Sequence, residues 1–180
     1  MKNLFLKIAY IFFFIVLAIA LFKFLMVLLL VGLVLLWLRT FQMKSEPNQV
    51  EFAGGSLPNP SPDGFYHGKV GFETSWIGKK FDATNSTGIN VLRGDKDPAS
   101  ATGYGVAREK YPFTTYKGNG LFDPNTFVLK IDYNVPGNPL WVKFVVDEIV
   151  QVAPDQYLGK MQLKLIPGFP FSVLYFELKK

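Results

Sequence analysis

Cysteine is absent from this 180-residue chain, and histidine occurs once, at His67. Without thiols there is no disulfide framework, thiolate metal centre or cysteine nucleophile, and one imidazole excludes a histidine-rich metal cluster. Acidic side chains are missing from the first 45 residues, where Lys2, Lys7, Lys23, Arg39 and Lys44 lie, so the net charge of +5 belongs entirely to this leading part. From residue 46 onward, 14 acidic and 14 basic side chains balance. The positive charge flanks an apolar run and forms no basic patch with interleaved aromatics, which argues against a nucleic-acid partner despite a pI near 9.3.

The signatures of nucleotide and hydrolase chemistry are also missing. Gly103-Tyr104-Gly105-Val106-Ala107-Arg108 lacks the last small residue of a dinucleotide loop and precedes no helical pattern; there is no P-loop and no G-x-S-x-G elbow. Asp147 and Glu148 are adjacent in an expected strand, so their carboxylates point to opposite faces and cannot form an acid/base pair. They read as a solvated edge. No catalytic residue, metal ligand set or cofactor is expected.

What is present first is a run of apolar residues over 8–38, broken only by Lys23. As one helix it would measure about 46 Å, longer than the roughly 30 Å of a hydrocarbon core. We place the span at 18–38, with Lys23 snorkelling to one interface, Trp37 and Arg39 anchoring the other, and the Phe-rich 10–15 stretch near the headgroups. A hairpin split at Lys23 would give halves too short to span, with no Gly or Pro to turn. Cleavage after Ala18-Ile19-Ala20 would leave a second greasy run exposed, so the segment reads as an uncleaved, single-pass signal anchor. Gly32 is its only glycine, so no G-x-x-x-G dimer motif exists. The expected placement is the cell inner or plasma membrane, with the C-terminal domain outside the cytoplasm.

Three regions follow: an anchor over 1–41, a linker over 42–64 and a domain over 65–180. The linker carries Pro47, Pro58, Pro60 and Pro62 among Gly, Ser and Asn, and is expected to be a helix-free tether. In the domain, apolar residues recur at period two. Phe127, Leu129, Ile131 and Tyr133 share one face; Leu140, Val142, Phe144 and Val146 oppose Trp141, Lys143, Val145 and Asp147; Leu174, Phe176 and Leu178 alternate with Val173, Tyr175 and Glu177. Asp63-Gly64, Gly118-Asn119-Gly120, Pro136-Gly137-Asn138-Pro139, Pro154-Asp155 and Pro167-Gly168 supply turns. The pattern predicts an all-β fold, an antiparallel up-and-down barrel of about 8–10 strands behind one transmembrane helix, with a sandwich as the alternative. Apolar residues on both faces of some strands predict an outer hydrophobic layer or a partner.

The segments Trp76-Ile77-Gly78-Lys79-Lys80-Phe81 and Tyr157-Leu158-Gly159, within 64–180, resemble the calycin-type small barrels of the lipocalin and fatty-acid-binding kind. In particular they resemble bacterial domains that pair a G-x-W-x-G segment with a following domain of unknown function, with Thr74 standing where that motif has its first glycine. The resemblance implies a calycin-like barrel that holds an apolar small molecule inside.

The candidate ligand-binding residues are Arg108, Tyr104, Tyr116, Trp76 and Trp141. Arg108 shares a strand face with Tyr104 and Val106; a guanidinium fork and tyrosine hydroxyls suit a carboxylate ligand, and the two tryptophans would line the cavity. The sequence thus predicts a membrane-anchored barrel that binds a lipid or other small apolar ligand, its partners being the bilayer and that ligand. The alternatives are a filled barrel docking an envelope protein, and a barrel cyclase or isomerase, or a haem protein using His67.

Overall fold

A computed structural model describes residues 2–180, with Lys2 and Phe5 described by backbone alone. The chain divides into two compact units, one up to Leu38 and one over Arg39–Lys180.

The first unit is helical. Helix α1 runs without a break over Lys2–Lys44, with no turn at Lys23. From Leu6 to Lys44 it is long and apolar enough to cross a membrane; from Leu6 to Val31 its apolar side chains are exposed, and Leu33 and Leu36 are half-buried.

The second unit is built around eight antiparallel strands in sequential order, closed into a barrel: β1 (Gly64–Val70), β2 (Trp76–Asp82), β3 (Thr87–Leu92), β4 (Arg108–Asn119), β5 (Phe127–Asp132), β6 (Val145–Ala153), β7 (Gln156–Ile166) and β8 (Phe169–Lys179). Strands β1 and β8 pair from His67–Lys179 to Val70–Phe176, so no edge is left open. The expected up-and-down barrel is therefore the architecture found. Tight turns sit where the punctuation places them, with Asp155 and Gly168 at positive φ.

Period-two alternation sorts the strands into a lumen and an outside. Leu129, Ile131 and Tyr133 of the β5 region point into the lumen core, as do Phe176 and Leu178 of β8. One half of the lumen is solid: Tyr66, Phe81, Phe113 and Tyr157 stack edge to face at 5.3–5.8 Å, and Leu57 packs against them.

Two expectations are corrected. The 42–64 segment is not helix-free: Pro47–Gly54 forms helix α2, because Pro47 falls at the start of the helix, where a missing N–H costs nothing. The stretch expected to be strand from Leu140 instead makes a short 3-10 helix over Val142–Phe144, in which Val142 and Lys143 N–H groups donate to the Pro139 carbonyl at 3.0 and 3.3 Å.

Helix α2 and the last turns of α1 cover the outer face of β5 to β8. Met43 and Phe52 bury Val128, Val150, Leu158 and Tyr175 in a second core, which accounts for strands apolar on both faces. Polar groups are buried in the same layer. Lys160 donates to Asp123 at 2.5 Å and to Gln49 of α2 at 2.7 Å, and the Tyr175 hydroxyl donates to the same Gln49 oxygen at 2.7 Å. Thr40 accepts from the Ser172 N–H at 3.0 Å, and Arg39 donates to the Val173 carbonyl at 2.9 Å.

Candidate functional site in the open half of the barrel

Opposite the aromatic plug, the lumen opens between the β1–β2, β3–β4 and β5–β6 loops. A cavity of about 220 Å³ lies here, its walls supplied by Val70, Trp76, Tyr111, Val145, Leu174 and Phe176 among others, with Phe72 and Trp141 at the mouth.

Local backbone devices aim the walls. Trp76 and Lys79 are three residues apart and would face opposite sides of a regular strand, yet both line the cavity. A bulge between Trp76 and Gly78 shifts the register, and Gly78 takes φ of +152°; a Cβ there would meet the Tyr66 carbonyl oxygen at 2.0 Å. On β4, Tyr111 is the extra residue between the Ile89–Pro112 and Asn90–Lys110 pairs. Its φ of +59° is strained for a tyrosine, and it brings the ring to 5.7 Å from Trp141 at the mouth.

The floor is polar. Lys79, which is 2% exposed, donates to the Asp147 Oδ2 at 2.7 Å, to the Asn90 Oδ1 at 2.9 Å and to the Tyr133 hydroxyl. Tyr133 in turn donates to the Asp147 Oδ2 at 2.9 Å and accepts from the Asn90 Nδ2 at 3.0 Å. Trp76 Nε1–H donates to the Asn90 Oδ1 at 3.1 Å. The ammonium lies 5.1–5.5 Å from the ring centres of Tyr133, Phe176, Trp76 and Phe113. Burial pulls Lys79 below the ordinary lysine value, opposed by the Asp147 carboxylate. Burial and then Asp147 push the Tyr133 phenol well above its ordinary value.

The reading of Asp147 and Glu148 as a solvated edge is thus corrected. The two carboxylates do point to opposite faces, but each is buried. Asp147 meets Lys79 in the lumen; Glu148 lies in the outer layer, where it accepts from the Leu121 N–H at 2.6 Å and from Gln162 at 3.4 Å, with Lys130 at 3.7 Å. Burial raises the Glu148 carboxyl above its ordinary value, with the Leu121 N–H and Lys130 working against the shift.

Of the residues singled out from sequence, Trp76 and Trp141 line the cavity. Arg108 is on the surface, paired with Asp95 at 3.0 Å, in a groove of the mouth loops where the Arg93 guanidinium lies 4.6 Å from the Tyr104 ring centre. Tyr116 is exposed, 3.5 Å from Asp132. His67 is exposed and edge-on to Phe65, whereas its neighbour Tyr66 belongs to the lumen core. Lys79, Asn90, Tyr133 and Asp147 went unrecognised, although Lys79 shares its alternation phase with Phe81, a large apolar residue that marks the lumen face. Among the described residues, no group of three His, Asp or Glu is placed to hold a metal ion.

No known family model, curated protein or solved structure matches this chain.

Proposed function

We propose that this protein is a membrane-anchored, calycin-like barrel that holds one small, largely apolar ligand in the open half of its lumen. The observation that carries this reading is the 220 Å³ cavity at the mouth, walled mainly by aromatic and aliphatic side chains and floored by a hydrogen-bonded polar cluster. A cavity of about 150 Å³ takes a benzene ring. The guest is therefore of the size of a substituted ring or a short acyl segment; a whole lipid does not fit. The strained Tyr111 at the mouth supports the same reading, since such backbone cost is kept where a site requires it.

The mouth also suits a lipid surface. Its loops expose Phe72, Leu140, Trp141 and Val106, the last 90% exposed. A second reading, a module docking an envelope protein through this apolar rim, is favoured by the solid lower half of the lumen.

Native mass spectrometry of the full chain, released from nanodiscs, separates the two. Ligand carriage gives a retained small molecule at one-to-one stoichiometry that added ethylbenzene displaces. An empty protein that takes up no ethylbenzene, yet crosslinks through the rim to one envelope protein, supports the docking module instead.

A further inference from the structure

The floor of the cavity specifies a polar group on the guest. The ammonium protons of Lys79 are engaged by Asn90, Tyr133 and Asp147, the Tyr133 hydroxyl proton by Asp147, and the Trp76 N–H by Asn90. Both bonds to Asp147 end on Oδ2, so Oδ1 accepts none. Among the described residues, no sealed side-chain oxygen or nitrogen lacks a partner. The free Oδ1 is therefore reached by open space, on a residue that lines the cavity and whose side chain is only 6% exposed.

We infer that the cavity selects an uncharged apolar molecule carrying a hydroxyl, whose proton is donated to the Asp147 Oδ1. The inference rests on the ligand-carrier reading above and names its ligand class. A carboxylate guest would set its own lone pairs against Oδ1, and an ammonium guest would stand beside the Lys79 ammonium. Lys79 and Asp147 cancel in charge, so neither sign of ion gains from the pair as a whole. A hydroxyl donor meets a charged acceptor inside an apolar wall, where such a bond is worth most.

The test compares three ligands of one shape on the full chain in nanodiscs, by ligand-observed NMR with empty nanodiscs as the blank: phenethyl alcohol, ethylbenzene and phenylacetate. The expected result is that the alcohol binds about tenfold or more tightly than the hydrocarbon, and the carboxylate weakest. Equal binding of alcohol and hydrocarbon, or a preference for phenylacetate, overturns the inference while leaving the carrier reading standing. Failure of all three to bind overturns the carrier reading itself. A Lys79→Met/Asp147→Leu variant, checked for folding by circular dichroism, is expected to keep ethylbenzene and lose the preference for the alcohol. A preference that survives this variant places the hydroxyl elsewhere and also overturns the inference.

Discussion

Replacing Lys79 by Met strands the Asp147 carboxylate. In the native lumen Asp147 has an ammonium at 2.7 Å and a phenol at 2.9 Å; in the variant only the phenol remains. The side chains of Lys79 and Asp147 are 3% and 6% exposed, so water compensates little. Removing one partner of such a buried pair costs about 3–5 kcal/mol. With a melting shift of about 2–4 °C per kcal/mol for a domain of this size, the full chain in detergent should unfold about 10 °C lower by far-UV circular dichroism. Removing both charges behaves differently. In Lys79→Met/Asp147→Leu the lumen gains apolar volume, and Tyr133 keeps Asn90 as a partner, so stability should stay within about 1 kcal/mol of wild type or rise. A Lys79→Met variant that melts within about 2 °C of wild type, or a double variant less stable than the single, would refute the claim that this pair is buried in the lumen.

Phe52→Ala empties a fully buried site between α2 and the barrel and should cost about 3–5 kcal/mol; limited proteolysis should then cut within 45–56 before the barrel. Gly68→Ala should destabilise by about 1–3 kcal/mol, because a Cβ there meets the Trp76 indole at 2.3 Å, and it should alter the near-UV dichroism of the tryptophans. Glu148 has its carboxyl raised above 4.5 by burial, so the native state holds a proton there that the unfolded chain has already released. The stability this group confers is complete below pH 4.5 and is lost as pH rises through its folded value. Glu148→Gln should therefore gain on wild type as pH rises from 4.5 towards neutrality, measured as the difference in melting temperature.

Much of the barrel was legible because its strands obey one rule. The alternation of Leu129, Ile131 and Tyr133, and of Leu174, Phe176 and Leu178, is the lumen face itself, and the turn residues mark where it reverses. What stayed hidden depended on partners brought from distant strands. Asp147 is buried because Lys79, 68 residues away, reaches it across the lumen, and nothing local to either residue announces the other. Helix α2 is hidden because the prolines of the 42–64 segment read as breakers, whereas Pro47, the only one within the helix, occupies its first turn, where proline is tolerated. The bulges at Trp76–Gly78 and Tyr111 leave no mark in a period-two pattern, and they decide which side chains enter the cavity. Trp76 is legible as a large strand aromatic that fills the lumen, whereas Trp141 reaches the cavity from the turn ahead of the 3-10 helix, not from a strand. Arg108 and Tyr104 were chosen for a carboxylate, and they lie in a groove of the mouth loops.

The most direct test of a guest in the barrel mouth is tryptophan quenching in a Trp37→Phe background, which leaves Trp76 and Trp141, both on the cavity wall, as the only fluorophores of that kind. Titration with para-bromobenzyl alcohol should quench them saturably and one-to-one, and filling the cavity with Val70→Phe/Leu174→Phe should abolish the saturable phase. Quenching that rises linearly without saturation, and equally in the filled variant, would contradict the account.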